Sequence, residues 1–323
     1  MEELLKVSII VPVHNAVRTL GRCIDSIIFQ SYKNVECILI ENDSNDNSAA
    51  LCSCYAEKYR NVVAESIELK GVSNARNKGL SLATGDIVGF CDADDFLEMN
   101  AVETVVREFL KNRNVISVFG GFNIGRIDGE KNIVKKYNGL KEQDVSISKA
   151  LQLLIINDAV MGSVWNKYYR RDVLERASFD CSLSFCEDMH FNAKVLDAIR
   201  SEKKVKIVSV PLYCYMENVE SVTHNKNMLF DDKDELKYIV ALKKIETDCK
   251  LDKKIKNLLK MKIACFSIDS LMSMEIDDVK RRNLVYELNK NYIYLVCNFW
   301  KNNWKWNIKR IYKGVRYLYK YTR

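Results

Sequence analysis

Apolar and polar positions alternate on two scales along the first 112 residues. "KVSIIVPV" (Lys6 to Val13) is β-branched and nearly continuous in its apolarity, the pattern of a strand buried on both faces. "TLGRCIDSIIFQS" follows with Leu20, Cys23, Ile24, Ile27 and Ile28 at helical spacing. "VECILIE" (Val35 to Glu41) predicts a second strand, and "NDNSAALCSCYAEKY" a helix entered through polar residues. "NVVAESI", "SNARNKGLSLA", "DIVGFCD" (Asp86 to Asp92) and "NAVETVVREFLKN" (Asn100 to Asn112) repeat the cycle. Strand alternating with helix implies parallel pairing through right-handed crossovers. The expected class is α/β, a doubly wound, mostly parallel sheet flanked by helices.

"VISVFGGFNI" predicts one more strand, and "NIGRIDGEKNIVKKYNG" a polar hairpin or loop. From "ISKALQLLI" onward helices are expected to take over. Beyond Asp231 three long amphipathic patterns follow, ending in "DVKRRNLVYELNKNYIYLVCNFW". The expected organisation is a nucleotide-binding and catalytic domain over 1–228 and a mostly helical region over 229–323.

Composition narrows the class. Nearly half of the 323 residues are hydrophobic and only two are proline, so a large core is expected and a long disordered linker is not. The eleven cysteines make no CxxC pair or Cys/His metal spacing, which reads as reduced thiols in a cytosolic protein. No signal peptide is expected from "MEELLKVSIIVPV", and no run approaches the ~20 apolar residues that span a bilayer. The net charge of +7 is uneven: Lys301 to Arg323 contains Lys and Arg and no Asp or Glu. Trp300, Trp304, Ile308, Ile311, Val315 and Leu318 share one face of this tail, with Lys301, Lys305 and Lys309 beside it. That pattern suits either an anionic membrane surface or a helix docked on the catalytic domain. No nucleic-acid module is present.

In doubly wound sheets ligands bind beyond the carboxyl ends of the strands. The polar clusters fall there: "HN" after the first strand, "ENDSND" after the second, "DADD" after the fourth. Asp92, Asp94 and Asp95 crowd into four positions, and ionised carboxylates gather so where a cation offsets their repulsion. Mg²⁺ or Mn²⁺ shared with a diphosphate fits, although one Asp could serve only as a helix cap. Arg76 opens a helix, where an anion is also favoured. Glu41 and Asn42 suit hydrogen bonding to a base edge or ribose, and suit turn chemistry equally.

In order and spacing, "VSIIVPVHN", "ENDSNDNS", "GVSNARNKG", "GDIVGFCDADD" and "FCEDMHF" resemble the motifs of family 2 glycosyltransferases of the GT-A fold, over Lys6 to Asn225. The resemblance implies transfer of a sugar from a nucleotide diphosphate, with UDP expected, to an acceptor hydroxyl, with inversion and with Mg²⁺ or Mn²⁺. It implies that Pro12 and His14 line the base pocket, with Asn15 beside them, although the family usually has Tyr where His14 stands. Glu41 and Asn42 match the pair that recognises uracil and ribose, with Asp43 in place of the usual Gly. Arg76 matches the base or diphosphate contact, and Asp92 and Asp94 the Asp-x-Asp motif, with the direct metal ligand either Asp94 or Asp95. Asp188 matches the base that takes the acceptor proton. Glu187 would orient the acceptor or support the loop, Trp165 would line the acceptor side or fill the core, and His224 would join the metal or diphosphate or lie in a loop.

The expected acceptor is a saccharide or lipid-linked saccharide of surface polysaccharide or glycolipid synthesis. The expected location is cytoplasmic, with peripheral contact at the inner membrane face. A nucleotidyltransferase would need a Gly-rich, basic loop after strand one, which "VPVHNAVRTLG" lacks. A non-catalytic sugar-nucleotide scaffold would not need Asp92, Asp94 and Asp188 together.

Overall fold

The apolar runs over 7–13, 35–42 and 87–90 become neighbouring strands buried on both faces, while the run over 62–67 lies half-exposed at the sheet edge. The first half reads β1 (Val7–Val13), α1 (Val17–Ile28), β2 (Val35–Asn42), α2 (Ser48–Lys58), β3 (Val62–Ile67), α3 (Val72–Leu82), β4 (Ile87–Phe90), the short β5 (Phe96–Leu97) and α4 (Ala101–Lys111). β6 (Val115–Asp128), β7 (Lys131–Tyr137), β8 (Gln143–Ser146), α5 (Ile147–Ile156), β9 (Lys167–Arg170), α6 (Glu187–Asp197) and β10 (Lys204–Met216) follow. The chain closes with α7 (Lys237–Asp248), α8 (Lys253–Ser273) and α9 (Asp278–Asn298). This computed structural model describes residues 4–128, 131–137, 141–157, 160, 162–175, 177–199, 202–217, 229–231, 233, 235–274, 276–298 and 308–314.

Ten strands form one sheet in the order β3-β2-β1-β4-β9-β6-β10-β5, with β7 paired to β6 and β8 to β10. β3, β2, β1 and β4 run parallel, in a register that sets Val13 beside Glu41 and Ile10 beside Phe90. The order reverses at β1, so the turns after β1 and β4 open into the same crevice, where such sheets hold ligands. Helices cover both faces. On one, Leu20, Cys23, Ile24 and Ile27 of α1 and Val102, Val105 and Phe109 of α4 join Val7, Ile9 and Val11 in a core. On the other, α3 lies so close that a Cβ on Gly79 would stand 2.3 Å from Ile10 Cγ2.

Helices do not simply take over after Ile147. β9 inserts antiparallel between β4 and β6, and β10 runs parallel beside β6. "NIGRIDGEKNIVKKYNG" is the expected hairpin, β6 pairing with β7.

The chain divides into two compact units that interleave. One comprises 1–147, 163–182 and 198–218; the other comprises 148–162, 183–197 and 219–323. The first holds the sheet. In the second, α7 packs on α6 and on α8, and α8 packs on α9. A short helix over 308–314 is fixed to this unit by the paired bonds from Arg310 to Asp269 and by the Tyr292 hydroxyl, which donates to Ile311 O at 2.6 Å. The described part of the tail is therefore docked on helices. Trp300, Trp304, Val315, Leu318, Lys301, Lys305 and His224 lie outside the described residues.

Candidate active site

β1 ends at Val13, and Asn15 turns the chain with φ 48°. Pro12 is half-buried at the strand end, while His14 and Asn15 are exposed. The Asn15 side-chain Oδ1 accepts from Asn45 N at 2.7 Å, so its Nδ2 faces His14 Nε2 at 3.1 Å. His14 Nε2 is thereby the acceptor, and Nδ1 donates to Asn42 O at 2.7 Å. These bonds select one neutral tautomer and tie the first turn to the second.

The second turn carries buried Glu41 and Asn42. Glu41 Oε1 accepts from Ser44 N at 2.7 Å. Asp43 adopts φ 59°, the left-handed conformation in which Gly costs least, which explains the residue type expected there. Its carboxyl is held below the usual range chiefly by its bond and ion pair with Lys70, 2.5 Å away. Both ends of the Asn42 amide are bonded within the protein. Its nitrogen donates to Leu69 O and its oxygen accepts from Gly71 N, both at 2.7 Å. The residue staples the turn to the loop that enters α3, where Gly71 has φ 110°.

Arg76, one turn into α3, is 5% exposed. Its Nη2 donates to Asp92 Oδ1 at 3.1 Å, and its guanidinium lies 5.4 Å from the centre of the Phe179 ring. Asp92, beyond β4, remains 29% exposed. Burial raises the Asp94 carboxyl above its ordinary value, and the neighbouring Asp92 charge adds to this. Arg22 of α1 opposes it: the guanidinium donates to Asp94 O at 2.7 Å and lies over Phe96.

Asp95 is 1% exposed, and both its oxygens are engaged. Oδ2 accepts from the Tyr213 hydroxyl at 2.6 Å and Oδ1 from Met216 N at 2.7 Å. Burial, with the charges of Asp92 and Asp94, pushes its carboxyl up to about 8. The Tyr213 hydroxyl also accepts from Asp92 N at 3.1 Å, so one tyrosine links the strand end to Asp95. Of the two metal-ligand alternatives, Asp95 is thus the one committed to the protein.

Trp165 is 6% exposed and stacks on Tyr213, with ring centres 4.5 Å apart, and on Tyr215. Its ring backs Tyr213 from the core. Asn166 and Lys167 are fully buried, and Lys167 Nζ donates to Ser163 O and Asn166 Oδ1.

Glu187 and Asp188 belong to the second unit, in the first turn of α6, where the helix dipole favours acids. Both are half-buried, and Asp188 Oδ1 accepts from Met189 N at 2.7 Å. Cys186 turns the chain into α6 with φ 58°, a costly conformation for a residue with a Cβ. Burial and the charges of Asp188 and Glu187 hold its thiol far above the ordinary value.

The sheet unit thus gathers Pro12, His14, Asn15, Glu41, Arg76, Asp92 and Asp94 on the turns at the carboxyl ends of β1, β2 and β4 and on α3. Residues 8–177 match the family described as Glycosyl transferase family 2. The chain belongs to this family. Glycosyltransferase GlyA of Streptococcus pneumoniae is 31% identical over 214 residues, 65% of this chain and 30% of that protein. The uncharacterized glycosyltransferase EpsJ of Bacillus subtilis is 30% identical over 225 residues, 67% of this chain and 62% of its own length. The minor teichoic acid biosynthesis protein GgaB of Bacillus subtilis is 32% identical over 61% of this chain and 21% of its own length. The matches therefore span less than two-thirds of each of these relatives. The fold is shared with residues 1–349 of TarS from S. aureus in complex with UDP-GlcNAc, with a TM-score of 0.69 at 16% identity over 98% of this chain and 92% of that one. The complex of the same fragment with UDP gives a TM-score of 0.65 at 15% identity.

Arg22, Tyr213 and Phe179 were not singled out by the sequence. Arg22 leaves one signal, a cation flanking the apolar stripe of the first helix after β1. Tyr213 and Phe179 leave none, since both look like ordinary core aromatics.

Proposed function

We propose that this family 2 glycosyltransferase is an inverting, metal-dependent enzyme that takes a UDP-sugar and glycosylates a hydroxyl of a saccharide or lipid-linked saccharide at the cytoplasmic face of a membrane. The observation that carries the reading is the crowding of Asp92, Asp94 and Asp95 beside Arg76 at the switch point of the sheet. Burial first, and the crowding after it, raise the Asp94 and Asp95 carboxyls, and partial exposure leaves Asp92 and Asp94 reachable. Hard carboxylate oxygens in that state fit Mg²⁺ or Mn²⁺. Asp92 and Asp94 would hold the ion, which supplies positive charge against the diphosphate as it departs.

The chain's own groups do the rest. Pro12, His14 and Asn15 flank the base, and Glu41 faces the ribose. Asn42 acts as a positioning residue through the loop it staples, and Asp95 acts through the strand end. Arg76 orients Asp92 and adds a cation for the phosphates. The acceptor oxygen attacks the anomeric carbon as the bond from that carbon to the phosphate oxygen breaks. The hydroxyl proton passes to Asp188, the electron pair of the broken bond leaves with UDP, and the anomeric centre inverts. Glu187 supports Asp188 at the same helix entrance. The TarS fragments whose fold is shared were crystallised with UDP and UDP-GlcNAc, and GgaB is named for teichoic acid biosynthesis; both agree with this substrate class.

Calorimetric titration of UDP tests the reading. Binding is expected with Mn²⁺, weakened by EDTA, and lost in Asp94→Ala. UDP binding that is equal with Mn²⁺ and EDTA, or no UDP binding at all, would refute it.

A further inference from the structure

α9 has two apolar sides, and only one of them is buried. Leu284, Leu288 and Leu295 are buried in the helical unit, where α9 packs on α8. On other positions Val279, Tyr286 and Ile293 recur every seven residues and stand in solvent, Tyr286 64% and Ile293 58% exposed. Seven residues make two helical turns, so these three line one stripe. Val296 extends it, and Arg282, Asn289 and Lys290, also exposed, border it. A helix needs one apolar side to dock on its own domain; the second side calls for a second partner.

We infer that this outer stripe of α9 docks on an anionic lipid bilayer surface. Charge decides the occupant. Beyond Asp278, which pairs with Arg281, the remaining acid of α9 is the buried Glu287. On α9 itself the exposed charges beside Tyr286 and Ile293 are Arg282 and Lys290; Glu235, which shares the groove beside Tyr286 and Lys290, is paired with Lys243 at 3.0 Å. A second copy paired two-fold about Tyr286 would set Arg282 against Lys290, placing like charges together. Anionic headgroups instead complement both while the apolar side chains enter the interface. The docked helix over 308–314 belongs to the same unit and exposes Ile308, Lys309 and Tyr312, the last by 72%. The chain from 299 to 323 adds Lys and Arg and no Asp or Glu. No helix among the described residues is long and apolar enough to cross a membrane, so the contact is peripheral.

The test is co-sedimentation of the full chain with phosphatidylcholine vesicles, with and without about 30% phosphatidylglycerol. Binding is expected only to the anionic vesicles and should weaken as salt rises. Tyr286→Asp with Ile293→Asp should reduce it about tenfold or more, whereas Asn289→Leu at the border of the stripe should increase it. All these positions are exposed, and UDP titration of the double variant should match the wild type, separating this surface from the donor site. A wild-type chain that stays in the supernatant would overturn the inference. A double variant that sediments like wild type would overturn the assignment to α9 and leave binding to the tail. A lipid-free dimer abolished by the double variant would make the stripe a contact between copies.

Discussion

Replacing Asp95 with Asn asks whether the carboxylate cluster carries unbalanced charge when no cation is bound. Burial and the charges of Asp92 and Asp94 push the Asp95 carboxyl up to about 8, whereas an Asp in an unfolded chain titrates at about 3.9. Between these values the native protein keeps a proton that the unfolded chain has lost. The contribution to stability is complete below about pH 4, falls as pH rises, and is lost by about pH 8. At pH 7 the gap amounts to about 3 pH units, or about 4 kcal/mol at about 1.4 kcal/mol each. Asn does not titrate. It does set an NH₂ against one of two donors, the Tyr213 hydroxyl or Met216 N, at a cost of about 1–3 kcal/mol at every pH. Asp95→Asn should therefore be the less stable protein at pH 5 and draw level with, or pass, wild type by pH 8. Thermal unfolding in EDTA reads this directly, since wild type should lose on the order of 10 °C relative to the variant over that range. Added Mn²⁺ should raise the wild-type midpoint more at pH 8 than at pH 5, because neutralising Asp92 and Asp94 removes two of the three causes. Parallel curves for the two proteins across pH would show that Asp95 carries no such penalty, and the electrostatic argument for a cation would fail.

Asp188→Asn should lower transfer about 10²- to 10⁴-fold while UDP binds as in wild type; undiminished turnover would remove Asp188 from the base role. Trp165→Ala should destabilise the protein by about 3–5 kcal/mol in chemical denaturation, because its ring lies between Tyr213 and Phe122 in the core. Unchanged stability together with a raised KM for acceptor would instead make Trp165 an acceptor contact.

The α/β frame was legible because β1 to α4 obey local rules: buried strands are apolar throughout, helices repeat every three to four residues, and polar turns mark the carboxyl ends. Five ordered motifs then pointed to the family. What escaped reading depends on distant partners. β9 is four residues long and starts at a fully buried Lys167, so nothing local announces a strand. Asp95 looks like its neighbours until Tyr213, 118 positions later, binds its carboxylate. Asn42 has the chemistry to read a base, yet the loop over 69–71 takes both ends of its amide. For the tail, both a bilayer and a docked helix suited the pattern, and Arg310 and Tyr292 show the 308–314 segment docked.

The interleaving of the two units makes this chain a problem in timing. A ribosome delivers β6 long before β10, its parallel neighbour in the sheet, whose first residue lies 76 positions beyond the last of β6 (204 − 128). At roughly 5–20 residues per second the edge of β6 waits for about 4–15 s. During that interval α5 and α6 also emerge, and their partners in the helical unit are not yet made. The nascent chain thus exposes unfinished surfaces of both units at once, and neither unit can mature as a contiguous segment. A fragment ending at 228 would keep α6 and lose α7, which packs on it. Expression of a fragment ending there is therefore expected to yield aggregates that the full chain avoids, and co-expressed chaperones should help most between the synthesis of α5 and that of α8.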